Sequence, residues 1–263
     1  FSLPENLVRS TNFWFAKPAS QLSKDVEALY YFTMVVSIII FIGICAFGLF
    51  CIIKYRRTPN NQRASAQIDH NLKLEVAWTV IPTLLVLFVF AWGYVDYLKL
   101  VIAPDNALEI STVAQKWNWS YQYKNGVKTD RIVVPINTPI KLNMYSRDIL
   151  HGFYAPNFKI KKDVLPNKYT SVWFEANRLG TFTVFCTEYC GDQHSKMLST
   201  ISVLTKEKYT EWLTSEKEKA EAALSLPPAE KGKLLYKSQG CFACHSIDGS
   251  KQIGPTWKGL YGK

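Results

Sequence analysis

Two stretches of this chain are free of charge for longer than a bilayer core is thick. Neither Asp, Glu, Lys nor Arg occurs from Ala28 to Ile53, and the same holds from Val76 to Val95. At the helical rise of about 1.5 Å per residue, each run reaches across a hydrocarbon core of roughly 30 Å. The pattern predicts a transmembrane helical hairpin over residues 26–97, with helices at about 26–54 and 75–97, after an external N-terminal segment, 1–25. Ser23, followed by Asp25 and Glu27, marks the expected start of the first helix. Pro82 lies inside the second run, where it is expected to bend a membrane helix rather than break it. Trp92, Tyr94 and Tyr97 suit the outer interface, where amphipathic rings settle. The hydrophobic share of 48% is ordinary, so placement rather than amount signals the membrane.

Beyond residue 97 the pattern shortens. Runs rich in Val, Ile, Thr, Tyr and Trp occur at Trp119–Tyr123, Arg131–Val134, Ile140–Tyr145, Tyr169–Glu175, Thr181–Phe185 and Leu198–Leu204. Pro139, Pro156, Pro166, Asn167 and Gly180 punctuate them, and Asn125-Gly126 reads as a hairpin turn or short loop. Many short strands without helix signals between them predict an antiparallel β-sandwich or barrel over residues 98–205. Residues 206–223 are charged and helix-favouring, and Pro227-Pro228 is expected to stop the helix and close a linker, 206–228. A third composition follows over 229–263. No initiator Met or leader precedes Phe1, which predicts a natural N-terminus that is processed or lies upstream.

Charge orients these parts. Between the apolar runs lie Lys54, Arg56, Arg57, Arg63 and Lys73 against Asp69 and Glu75. The positive-inside bias puts that loop in the cytoplasm and both ends of the chain outside. The net charge is +10, of which residues 97–205 hold thirteen basic against eight acidic residues. An external basic domain excludes a nucleic-acid role and reads as a solvated Lys-rich surface beside membrane lipid.

Six cysteines are present. Cys45 and Cys51 sit in the first membrane run as packing residues. Cys186 and Cys190 belong to Phe185-Cys186-Thr187-Glu188-Tyr189-Cys190-Gly191-Asp192-Gln193-His194-Ser195-Lys196-Met197. Thiolate, imidazole and thioether on one loop before a last strand suit copper, with His151 the natural further ligand from an earlier loop. The second thiolate is enough to bridge two metals. A disulfide would leave the His and Met spacing unexplained, and zinc rarely takes Met. The other pair lies in Cys241-Phe242-Ala243-Cys244-His245, the covalent attachment pattern of haem c, with a redox CxxC or zinc as the alternatives. Gly254-Pro255 follows, as in class I cytochromes c.

The spacing C-x-E-x-C-x3-H-x2-M, with a distant His and two membrane helices before it, resembles cytochrome c oxidase subunit II over nearly all of residues 20–205. The resemblance implies a cupredoxin-like Greek-key sandwich at 98–205. It also implies a binuclear copper centre, CuA, on His151, Cys186, Cys190, His194, Met197 and the Glu188 carbonyl. Gln115-Lys116-Trp117-Asn118-Trp119-Ser120-Tyr121 resembles the stretch whose first Trp receives electrons, here Trp117. The Glu188 side chain resembles a ligand to Mg shared with subunit I, and Glu75 the acid at the mouth of a proton channel, though an acid at a helix start is commonly a dipole partner. The whole is similar to an oxidase subunit fused to an incomplete all-α class I cytochrome c domain, 229–263. Partner subunits I and III, a proton-pumping role and a bacterial inner membrane are implied with it.

No Met or His follows His245, so a sixth iron ligand, a Met, is expected from sequence beyond Lys263. A basic domain repels a basic soluble cytochrome. The expected donor is therefore an upstream respiratory complex or another cytochrome, feeding the chain's own haem. Quinol oxidase subunits lack the copper ligands, and nitrous oxide reductase is soluble with a second copper domain. A membrane-tethered copper carrier is the alternative of another class; it would need neither the haem pattern nor the aromatic stretch.

Overall fold

The computed structural model describes residues 14–59, 62–63 and 69–260. Residues 1–13 of the expected external segment, part of the loop between the membrane runs, and residues 261–263 lie outside the described residues. The chain divides into two compact units, Lys24–Leu98 and the remainder.

The first unit is a helical hairpin of α1 (Gln21–Tyr55) and α2 (Leu72–Val101), which the unit boundaries trim at the outer ends. Both helices are long and apolar enough to cross a membrane. Phe41, Ile53, Ile81 and Phe90 stand more than 60% exposed, an arrangement unfavourable in water and stable in lipid. Phe32 joins the helices, with ring centroids 5.6 Å from those of both Phe88 and Trp92. The helix α1 starts earlier than Ser23 because Ser20 caps it: the Ser20 hydroxyl accepts the Ser23 N–H at 3.0 Å, which satisfies one orphan donor of the first turn. Asp25 and Glu27 therefore fall outside that turn. The helix α2 starts at a reciprocal cap. Asn71 Oδ1 accepts Leu74 N–H, and Glu75 Oε1 accepts Asn71 N–H at 3.0 Å. Pro82 is accommodated within α2.

The second unit is a β-sandwich of ten strands: β1 (Leu108–Gln115), β2 (Asn118–Tyr123), β3 (Lys128–Thr129), β4 (Ile132–Pro135), β5 (Pro139–Ser146), β6 (His151–Ala155), β7 (Ile160–Val164), β8 (Thr170–Glu175), β9 (Gly180–Cys186) and β10 (Leu198–Leu204). One sheet has the order β3-β2-β1-β5-β8, the other β4-β10-β9-β6-β7. Burial alternates along β5 and β10, and the inward residues Trp119, Tyr121, Leu142, Met144, Phe153, Phe158, Phe174 and Ile201 fill the space between the sheets.

Two pairings differ from an all-antiparallel expectation: β1 runs parallel to β5, and β4 parallel to β10. The turn at Asn125-Gly126 forms, with Gly126 at φ +88, but it returns only into the two-residue strand β3. Residues 132–135 cross to the other sheet instead. All four are buried, so they need cover on both faces. The Tyr123 hydroxyl bridges them to β2, donating to Val133 O at 2.9 Å and accepting from Val133 N at 2.7 Å.

After the sandwich, α3 (Lys206–Ala223) is capped by Thr205 and lays Tyr209 and Trp212 on the Tyr123 ring region. Pro228 does not simply end a helix. It opens α4 (Pro228–Ser238), because proline's missing N–H and fixed φ suit the first helical position. Then come a 3-10 turn, Cys241–Ala243, and loop. The expected all-α cytochrome domain is not formed among the described residues: one eleven-residue helix is present there, and beyond it, among the described residues, Gly240, Ala243 and Ser246 are buried.

Candidate metal centre

The chemistry gathers at one end of the sandwich, where β9 leaves for β10 and where β6 begins. Cys186 ends β9, Met197 precedes β10, and His151 opens β6, so three strand ends hold the loop 187–196. The Cys186 N–H donates to Met197 O at 3.2 Å and the Thr187 N–H to Gly152 O at 3.0 Å. The β-ladder thus runs up to the candidate ligands, and rigid elements carry them.

Cys186 Sγ and Cys190 Sγ lie 3.8 Å apart, far beyond a disulfide bond, and both cysteines are free. His151 Nδ1 stands 3.8 Å from Cys186 Sγ, and His194 Nδ1 3.4 Å from Cys190 Sγ. Met197 Sδ lies 3.9 Å from Cys190 Sγ, and Glu188 O 3.4 Å from Cys186 Sγ. Two thiols, two imidazoles, one thioether and one carbonyl converge. This soft, nitrogen-and-sulfur set fits copper, with two bridging sulfurs for two ions. His151 is fully buried, as is Met197, and Cys190 is 1% exposed. Such a pocket excludes water from a bound metal.

The two thiols differ. Burial pushes the Cys186 thiol up, but hydrogen bonds with His151 and with the backbone at Gly152 and Glu188 outweigh it and bring it down to about 7. Burial and the neighbouring Cys186 sulfur push Cys190 up to about 12. Cys186 is thereby ready as a thiolate, whereas the Cys190 proton leaves when a cation competes for the sulfur.

Asp148, which the sequence reading did not single out, orients the site. Its Oδ1 lies 2.8 Å from His151 Nε2 and its Oδ2 accepts the Lys116 N–H at 2.7 Å. One carboxylate therefore turns His151 Nδ1 toward the sulfurs and ties down the β1–β2 turn that carries Trp117. An acid three residues before a candidate ligand His was the only available signal. Asp148→Ala is expected to lower copper affinity about 10- to 100-fold, the usual effect of removing a carboxylate behind a ligating His. Copper competition with a chelator, followed in the near-infrared, checks it.

Trp117 packs its ring against Gly191 of the loop 187–196, where a Cβ would come 3.1 Å from Cζ2. Its indole N–H is buried and finds no acceptor among the described residues. The Glu188 carboxylate pairs with Lys161 Nζ at 2.9 Å. Glu75, in the hairpin, is engaged in the α2 cap.

In the second cysteine pair, Cys241 opens the turn Cys241–Ala243 and Cys244 follows it. His245 Nδ1 donates to Pro255 O at 2.8 Å, which fixes the tautomer and leaves Nε2 as the lone-pair nitrogen. Trp257 stacks on the imidazole at 4.9 Å and 25°, and Tyr236 donates to His245 O at 2.6 Å. An imidazole so held, beside two free half-buried thiols, fits covalent attachment and axial ligation of a haem.

Two family models match the chain. The one described as cytochrome C oxidase subunit II, periplasmic domain, covers residues 127–204, and the one described as cytochrome C oxidase subunit II, transmembrane domain, covers 8–94. Together they span more than half of the 263 residues. Cytochrome c oxidase subunit 2 of Alkalihalophilus pseudofirmus is 28% identical over 243 residues, which is 86% of this chain and 70% of that protein. The Synechocystis protein of the same name is 24% identical over 245 residues, 75% and 74% of the two chains. Among solved structures, the periplasmic domain of subunit II of cytochrome oxidase from Bradyrhizobium japonicum is 29% identical, with a TM-score of 0.44, covering 45% of this chain and 99% of that one.

Proposed function

The chain belongs to the cytochrome c oxidase subunit II family, and from that premise we propose that it takes electrons from a c-type haem of its own and passes them through CuA to subunit I. It is a subunit of a haem–copper oxidoreductase, with an N-terminal membrane anchor and a β-sandwich domain behind it. The observation that carries the proposal is the unbonded thiol pair, 3.8 Å apart, ringed by two imidazoles, a thioether and a carbonyl.

His151, Cys186, Cys190, His194, Met197 and the Glu188 carbonyl would hold the copper pair, which when bound supplies a one-electron relay with its charge spread over two metals and two sulfurs. Cys241, Cys244 and His245 would hold the haem, a second one-electron relay. The chain's own residues do the rest. Asp148 orients His151, the sandwich core keeps water from the sulfurs, and Trp117 stands against the copper loop as the electron-receiving aromatic. Glu188 would share a Mg ion with subunit I once its pairing with Lys161 opens. Glu75 would stand at the mouth of a proton channel, with its cap to Asn71 as the resting arrangement. Oxygen is reduced, and protons pumped, in subunit I; subunit III completes the complex in a bacterial inner membrane. The donor to the haem is an upstream respiratory complex or another cytochrome, since the basic sandwich repels basic ones.

Metal and haem analysis of the purified subunit tests this. Two coppers and one covalent haem per chain are expected, with a near-infrared CuA band. Copper-free native material, or a Cys186–Cys190 disulfide, would overturn the copper half of the proposal. A chain without covalent haem would overturn the other.

A further inference from the structure

The segment bearing Cys241 and Cys244 lies directly on the copper loop. Gln193, the residue before His194, donates from Nε2 to Ala243 O at 2.6 Å, and Ala243 is the residue before Cys244. Beside this contact Gly240 meets Asn118 so closely that a Cβ at 240 would lie 2.8 Å from the Asn118 Cβ. Gln115 Nε2 donates to Gln239 O at 2.5 Å. Arg147 Nη1 reaches both Gln115 Oε1 and Gln239 Oε1 at 3.4 Å. Residues 115 and 118 flank Trp117, so the segment 239–243 covers the turn that presents this tryptophan. A cavity of about 500 Å³ remains between the two loops, with Phe242, Ala243 and Ile253 on one side and Asp192, Gln193 and Lys196 on the other.

We propose that Gln193 is a positioning residue that sets the haem-attachment loop in register with the copper loop, on a docking face that this chain's own segment 239–243 occupies. The inference rests on the haem reading above and adds to it which residue fixes the approach. Gln193 is suited to the task because its own backbone is held: its carbonyl accepts the Lys196 N–H at 2.9 Å within the loop. The side-chain amide therefore projects from a loop whose shape the copper ligands determine. The covalent linker already keeps the segment at high effective concentration near the sandwich. Tethering alone permits many orientations, however, and electron tunnelling falls steeply with the separation of its two centres. A directional bond one residue from each set of cofactor ligands selects one orientation. Gly240, at φ +73 and without a Cβ, lets the backbone come close enough for that bond to form. The same contact leaves the Trp117 turn covered, so an outside donor has to deliver to the haem segment.

The test compares Gln193→Leu and Gln193→Glu with the wild type in the intact oxidase complex. Glu is nearly isosteric but cannot donate to the Ala243 carbonyl, so it separates the bond from the packing. Hydrogen–deuterium exchange of residues 239–245 is expected to rise roughly three- to tenfold in both variants, the factor one net hydrogen bond is worth. Intramolecular transfer to copper after pulsed reduction is expected to slow by a similar factor. The near-infrared band and both midpoint potentials are expected to stay put, which a general loss of structure would not allow. Unchanged exchange and unchanged transfer in both variants would overturn the proposal, as would a slower transfer accompanied by a shifted copper potential. Absence of haem stain on the denatured chain would instead defeat the haem reading, and the exchange at 239–245 would still report whether Gln193 docks the segment.

Discussion

Cys186→Ser is expected to eliminate the near-infrared CuA band and to cut electron transfer into the oxidase by at least about a hundredfold, more than the loss of a group behind a ligand costs. The substitution changes one atom and little volume. A serine hydroxyl, however, keeps its proton at neutral pH and offers a hard oxygen where copper prefers sulfur. Cys186 is also the thiol that hydrogen bonds bring down to about 7, so its removal takes away the thiolate available before metal arrives. With Cys190 alone no second thiolate remains to bridge, since the other sulfur close by, Met197 Sδ at 3.9 Å, is a neutral thioether. Copper content and the near-infrared spectrum of the purified variant check this. Two coppers retained with an unaltered band would show that the thiol pair is not the bridge.

Gly152→Ala is expected to lower copper occupancy strongly and to destabilise the sandwich by about 1–3 kcal/mol, the range for forcing an extra methyl into a packed interior. A Cβ at 152 would lie 2.5 Å from Thr187 Oγ1 and 3.1 Å from both Glu188 Cγ and Glu188 N. A swing of the Thr187 side chain relieves only the first of these, because Glu188 N is backbone between the two cysteines. The strain from Gly152, on the strand that starts with His151, therefore moves the neighbouring stretch that sets the distance from Cys186 to Cys190. Thermal unfolding and copper titration, measured together, read the two effects. A variant with unchanged melting temperature and full copper would show that the loop yields freely.

Much of this was legible before any fold was known, because some signals are local. An uncharged run needs no neighbour to declare a membrane helix: lipid acts on each residue separately, and the helices Gln21–Tyr55 and Leu72–Val101 contain the two uncharged runs. The Cys–Cys–His–Met spacing is likewise local, since a single loop supplies four of the candidate donors. The limits of local reading show at the caps. Ser23 was the natural start of α1, yet Ser20 performs the capping, because two serines three apart compete for one role and the backbone geometry decides. Pro228 reads as a stop and serves as a start.

The sequence by itself determined the membrane hairpin, the β-rich character of residues 98–205 and the choice of candidate soft donors, for these depend on residue type at short spacing. Only the tertiary structure decided that His151 is the imidazole presented to Cys186, that Asp148 orients it, that Ile132–Pro135 crosses to the second sheet, and that Gln193 meets Ala243. Each of these joins residues whose side chains meet through chain direction and register. Those follow from burying both sheet faces at once, a condition that the whole domain satisfies together and no short stretch contains.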